Sequence, residues 1–315
     1  MDTVLWQRLA ALPADCAAML ALVVSVDGSS YRRPGAARLW VTDGVAEGMA
    51  EGMVSGGCLE ADLVERANGM APGAEHGQLV AYDLRAGQED AWGLAAGCNG
   101  RIEVWLQPLP AGCPSAYRRA AGWLAAGHAV VVTTVLMGGE QWATAVDAPA
   151  LTFGTVRALG AEERAFVDRR EPAPRMYVFG TGPDAACVAA IARRVGFLVR
   201  MLARSEDLAE MLARERAAAV VVMSHHLPSD EGALRAALSA GVPYVGALGP
   251  RERTLRMVPA PWPPALHGPV GLDLGAEGPE EIALAVVAEA LAVLRGAAGG
   301  FLRDHRGPSL PWYGR

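Results

Sequence analysis

The apolar positions change rhythm once along the chain, near residue 170. In the first half they come in short runs separated by Gly-, Pro- and charge-bearing breaks. Met19–Val26, Ala37–Val41, Ala46–Val54, Gln78–Leu84, Arg101–Leu106, Val130–Met137 and Gln141–Val146 have the length and composition of strands. Asp43-Gly44 and Gly138-Gly139 stand between two pairs of them as hairpin turns. Residues 1–12, Cys58–Asn68 and Ala116–Ala126 carry helical composition. This half reads as an α+β domain over residues 1–168, followed by a charged, Pro-containing linker at 169–175 (RREPAPR).

From Met176 the rhythm becomes strand, helix, strand. Met176–Phe179, Phe197–Ala203, Ala218–Met223, Tyr244–Leu248 and Gly271–Leu274 read as strands. Asp184–Val195, Glu206–Glu215, Asp230–Ser239 and Pro279–Leu294 read as helices. Strands that alternate with helices imply a parallel sheet covered on both faces. The expected class is therefore α/β: a Rossmann-type, doubly wound parallel sheet over 176–315, ending in an irregular Gly/Pro/Arg-rich tail, behind an N-terminal α+β domain.

Composition narrows the chemistry. A net charge of −6 argues against a nucleic-acid binder, which would carry a basic face. There is no lysine, so a lysine Schiff base and a P-loop lysine are excluded. The apolar run Cys16–Val24 is too short to span a bilayer and reads as a buried strand of a cytoplasmic protein. Five cysteines form no CxxC pair, which speaks against a disulfide framework or a cysteine zinc site.

Four segments could carry chemistry. Gly180-Thr-Gly182-Pro-Asp-Ala185 follows a strand and opens a helix, the setting of a dinucleotide turn. Gly180 would allow the tight turn, Gly182 the approach of a pyrophosphate, and Ala185 close helix packing. The acidic residue expected about 20 positions on is replaced by Ala203, and Arg204 beside it suits a phosphate, which favours NADP over NAD. In Ser55-Gly56-Gly57-Cys58-Leu-Glu60, a Gly-rich turn places Cys58 at a helix start, where a thiol gains nucleophile or metal-ligand character. The bland alternatives are a small buried cysteine there and a helix-capping Glu60. Gly97-Cys98-Asn99-Gly100 offers a second cysteine with open backbone, and the turn GSSYRRPG brings Arg32 and Arg33 as anion ligands or as solvated loop residues. Finally, Ser224-His225-His226 lies at the carboxyl end of a parallel strand, so His225 is placed either for proton transfer or for water.

Together these segments resemble the XdhC/CoxI family of xanthine dehydrogenase accessory proteins. The match runs through GSSYRRPGA at 28–36, SGGCLE at 55–60, GCNGRIEVWLQP at 97–108, FGTGPDA at 179–185, SHH with Asp230, and YVGALGPRERT at 244–254. Ala203 and Asn99 depart from the family pattern. The resemblance implies a chaperone that binds the molybdenum cofactor (molybdopterin), helps it gain its sulfido ligand and delivers it to a xanthine dehydrogenase-type molybdenum hydroxylase. A cysteine desulfurase is then an implied partner, and a homo-oligomer is expected. In that reading Cys58 and Cys98 face the dithiolene or the metal, while the Gly180–Ala185 turn, Arg204 and His225 hold the phosphate side. Two alternatives stay open: an NADP-dependent oxidoreductase with a small substrate domain, and an inert docking module anchored by Trp312 and Tyr313.

Overall fold

The computed structural model describes residues 3–42, 50–70, 76–85, 100–109, 112–136, 141–145, 155–158 and 164–304. The chain divides into two compact units, Asp2–Pro172 and Ala173–Arg315.

The first unit is built on β1 (Ala18–Gly28), the middle strand of an antiparallel sheet. Around it lie β2 (Ala37–Val41), β3 (Glu51–Gly52), β4 (Gln78–Asp83) and β5 (Gly100–Leu109), in the order β3-β2-β1-β5-β4. β1 reads as an unbroken apolar run because both of its faces are covered. Leu20, Leu22 and Val24 pack with helices α1 (Thr3–Ala10) and α3 (Ser115–Ala125). Met19, Ala21 and Val23 pack with α2 (Glu60–Asn68) through Leu63 and Ala67. A second antiparallel sheet runs β7-β6-β9-β8, from β6 (Val130–Val135), β7 (Gln141–Ala145), β8 (Thr155–Ala158) and β9 (Arg164–Arg170).

Three sequence expectations change here. The strand expected over 46–54 is only Glu51–Gly52 among the described residues, and 43–49 lie outside them, as do 138–139. β8 and β9 went unread. Arg169 and Arg170, which the charge pattern assigns to the linker, finish β9, and Arg175 opens the next strand, so 171–174 make the connection. The charges at the end of β9 are used internally: Asp168 pairs with Arg170 at 2.5 Å, and Arg170 donates to the carbonyl of Gly35.

The second unit alternates β10 (Arg175–Phe179), α4 (Pro183–Arg194), β11 (Leu198–Leu202), α5 (Ser205–Arg214), β12 (Ala219–Val222), α6 (Leu227–Ser239), β13 (Tyr244–Ala247), α7 (Arg251–Met257), β14 (Leu266–His267) and α8 (Pro279–Leu294). All pairs are parallel, in the order β11-β10-β12-β13-β14. α4 and α8 cover one face, through Val188, Ala192, Val286 and Ala290. α5, α6 and α7 cover the other, through Leu208, Leu234 and Met257. This is the doubly wound α/β class that the alternation implied. Its chain reverses direction across the sheet between β10 and β12, and such a switch point is where open α/β sheets bind ligands.

The strand expected at Gly271–Leu274 is absent; Leu266–His267 takes the edge instead. Gly271 has a φ of 112° and gives its N–H to Glu289 at 2.8 Å, and Leu272 gives its N–H to Ala285 of α8 at 3.2 Å. Both donors are spent on the helix rather than on a ladder. Among the described residues no helix is long and apolar enough to cross a membrane.

Candidate functional site

Each unit gathers sequence-predicted residues at one end of its main sheet. In the first, Gly28 closes β1 and Gly100 opens β5, and the two are paired in register. Gly100 must be glycine, since a Cβ there would lie 2.3 Å from the Ser29 carbonyl oxygen. Gly97, Cys98 and Asn99 lie outside the described residues. β3 runs in the same direction as β1 and sends residues 53–59 to the same end. There the exposed Tyr31 ring lies over Gly56, whose Cβ would stand 3.6 Å from Tyr31 Cγ. Arg32 and Arg33 follow in the same turn and are half-buried.

The cysteine loop is held from beneath by two buried polar residues, Ser55 and Glu60. The Ser55 hydroxyl accepts N–H bonds from Gly57 and Leu59, both at 3.1 Å, and donates its own proton to Glu60. Glu60 also accepts the N–H of Ser55 at 2.9 Å and of Val54 at 3.2 Å. Burial works to raise the Glu60 carboxyl, but these hydrogen bonds outweigh it and hold it below its ordinary value. Glu60 thus faces back into the loop, and the N-cap of α2 is Leu59, which has no side-chain capping bond. Gly57 has a φ of 111° with nothing within 4 Å of where a Cβ would be, so the backbone beside Cys58 is uncovered.

Cys58 precedes the helix rather than standing in its first turn: Leu59 is the N-cap and Glu60 the first helical residue. Its thiol is free and half-buried, and it leans on the same core as Val26, Val64 and Met70. The surroundings of Cys113 and Cys187 raise their thiols. Burial pushes Cys113 up to about 11, and burial with the Glu280 carboxylate raises Cys187. Among the described residues no group of three or more His, Cys, Asp or Glu side chains is arranged to hold a metal ion.

In the second unit the switch point is formed by the loop after β10 and the loop after β12. Gly180 is wedged between strand ends. Its φ is 151°, it donates to Leu202 O at 2.9 Å, and a Cβ would lie 2.7 Å from Met223 O. Ala185, in the first turn of α4, is fully buried, a packing role. Gly182 is the N-cap of α4. The face that sequence reasoning reserved for a pyrophosphate is taken by the protein's own carboxylate: a Cβ on Gly182 would lie 2.7 Å from Asp184 Oδ1. Asp184 Oδ1 accepts the Ala185 N–H at 2.8 Å, and Oδ2 meets His225 Nε2 at 2.8 Å. Pro183 removes one further N–H from the helix start.

His225 is the one described non-glycine residue with a positive φ, 63°. Its neighbours hold it there. Ser224 binds Asp230 through its N–H at 3.2 Å and its hydroxyl at 2.5 Å. Asp230 is fully buried and accepts from Arg253 at 2.7 Å. Arg253 in turn donates to the Leu248 carbonyl at 3.3 Å, which joins the next strand end to the network. His226 turns away and pairs with Ser229 at 2.8 Å. Arg204 stands exposed after β11, with Glu206 at 3.7 Å. Asp184 was missed by sequence reasoning, although an acid next to Pro183 at a helix start was a visible signal.

A doubly wound parallel sheet with a Gly-x-Gly turn at its switch point, carried on one chain with an antiparallel unit whose glycine loops share a sheet end, defines a two-unit protein of the Rossmann class. A family model described as the XdhC Rossmann domain matches residues 176–290, and one described as the XdhC and CoxI family matches residues 11–83. The chain belongs to the XdhC/CoxI family. It is 30% identical over 307 residues to a Bacillus subtilis (strain 168) protein named as a probable xanthine dehydrogenase subunit, covering 86% of this chain and 92% of that protein. A crystal structure described as a xanthine dehydrogenase from Bacillus halodurans superposes with a TM-score of 0.75 at 28% identity, over 94% of this chain and 96% of that one.

Proposed function

We propose that this chain is an accessory protein of a xanthine dehydrogenase-type molybdenum hydroxylase and carries the molybdenum cofactor as cargo. Family membership supports the association with such an enzyme, as do the names of the two relatives. The observation that carries the cargo reading is the loop end of the first unit. There a free thiol, Cys58, stands beside uncovered glycine backbone, with Tyr31, Arg32 and Arg33 in the adjoining turn. Thiolate sulfur suits a soft metal such as molybdenum, and arginine suits the cofactor's phosphate. Cys98 is the second thiol of this reading. A cysteine desulfurase is the partner expected to supply sulfur. The protein is expected to act in the cytoplasm as a homo-oligomer.

The alternative of an NADP-dependent oxidoreductase fits less well. A pyrophosphate at Gly182 would meet the Asp184 carboxylate, which already lies 2.7 Å from the Cβ position on that glycine face, on a helix whose Pro183 has no N–H to give. Arg204 would welcome a 2′-phosphate, but the residues that must hold the bridging phosphates do not fit them.

The test is cofactor retention. Wild type loaded with molybdenum cofactor and passed through gel filtration should keep molybdenum and pterin together. Cys58→Ala should lose at least tenfold in affinity, and Cys113→Ala should bind like wild type. Equal retention by Cys58→Ala and Cys98→Ala would overturn the thiol role.

A further inference from the structure

The Asp184–His225 pair is a half-buried, oriented acceptor bordered by an exposed histidine, at the point of the parallel sheet best placed for a ligand, and the reading above leaves it without a task. We infer that it recognises the 2-amino-4-oxopyrimidine edge, the donor-rich ring edge that pterins and guanine share. The inference rests on the cargo reading and names the ring edge that the second unit, taken by itself, recognises.

The chemistry follows from counting acceptor positions. An ionised carboxylate offers about four. The structure uses two of Asp184's: Ala185 N–H takes one on Oδ1 and His225 Nε2 faces one on Oδ2. One position on each oxygen is left. That is the pattern for two parallel N–H donors, as when a carboxylate receives an arginine fork. A phosphate has no N–H to offer and is repelled. A 2-amino-4-oxopyrimidine presents two adjacent N–H groups, from its 2-amino group and its N3. An isolated Asp would swing, but this one is held on both sides. The Ala185 N–H fixes one oxygen and His225 the other. His225 is itself fixed by a left-handed backbone between Ser224, tied to buried Asp230, and the start of α6. Asp184 is 21% exposed, enough to be reached and dry enough for its hydrogen bonds to count, whereas His225 at 65% borders solvent. In this scheme Asp184 binds the ligand and His225 is a positioning residue.

Titration of the full-length chain with pterin and with lumazine, its 2-oxo counterpart, tests the edge directly by fluorescence. Guanosine and inosine monophosphates form a second pair that differs only in the 2-amino group. Wild type should prefer the amino member of at least one pair by tenfold or more. A preference within the pterin pair assigns the edge to the pterin, and one confined to the nucleotide pair assigns it to a guanine nucleotide. Asp184→Asn, which keeps the shape but swaps one acceptor for a donor, should erase the preference. His225→Ala should weaken it about threefold, and His225→Asn, which tolerates the same backbone and keeps an N–H, should restore most of it. No preference in either pair, or a preference that survives Asp184→Asn, overturns the inference. Molybdenum-cofactor retention measured on the same proteins separates the two ideas. A wild type that keeps cofactor but ignores the 2-amino group sinks only this inference. A wild type that reads the 2-amino group but keeps no cofactor sinks the cargo reading.

Discussion

The two glycine turns, GTGPD in the second unit and SGGCLE in the first, look alike as strings and are built in opposite ways. At Gly182 the space freed by the missing side chain is filled by the neighbouring Asp184 carboxylate. At Gly57 the space stays empty, and the loop is braced from below by Ser55 and Glu60. A glycine motif states what the backbone needs; the next polar side chain decides whether the opening is left for a ligand. In the first unit the acid lies under the loop and leaves the surface uncovered. In the second it lies on the surface and changes what can bind.

This contrast can be broken by mutation. The largest effect is expected at Asp230, which braces the His225 loop much as Glu60 braces the Cys58 loop. Asp230→Ala leaves the mostly buried Arg253 without its carboxylate and should cost about 3–5 kcal/mol. Urea unfolding reads this, and a loss under about 1 kcal/mol would show that the network is not an anchor.

A smaller effect sharpens the difference between the glycines. Gly182→Ala pushes a Cβ against Asp184 and should cost about 1–3 kcal/mol. Most of that should vanish in an Asp184→Ala background, because the penalty belongs to the pair. Gly57→Ala meets no atom and pays only for its positive φ, about 1 kcal/mol. A double-mutant cycle with no coupling between Gly182 and Asp184 would remove the claim that the carboxylate fills that face.

The smallest effect is a pH dependence. Hydrogen bonds hold Glu60 below its ordinary value of 4.5, so the unfolded chain binds the proton more readily than the folded one. The stability that Glu60 supplies is complete above pH 4.5 and disappears as the pH falls through the lower, folded value. Glu60→Gln should flatten this part of the acid unfolding curve; an unchanged curve would assign the acid sensitivity to another group.

Much of the second unit was legible because β-α-β alternation is local and the central strands β10, β12 and β13 are apolar on both faces. The Gly180 turn, the buried Ala185 and the His225 strand end all fell where the pattern put them. Leu266–His267 could not be read as a strand, since two residues carry no period, while Gly271–Leu274 imitated one whose N–H groups are in fact spent on α8. β9 was hidden by Asp168, Arg169 and Arg170, whose charges look like linker. Two of them pair with each other, and Arg170 holds the Gly35 turn as well. The Gly180 turn and the Cys58 loop could be read from the sequence as candidate features, but the acids beside them could not. The roles of Glu60 and Asp184 depend on which backbone N–H groups the fold leaves facing them, and that is set by tertiary structure.

The central claim is that this Rossmann unit serves the molybdenum cofactor and not a pyridine dinucleotide. Competition tests it most directly: protein loaded with molybdenum cofactor is titrated with NADPH while released pterin is followed by fluorescence. The account predicts that millimolar NADPH releases no more pterin than buffer does. Release that saturates at micromolar NADPH would contradict it.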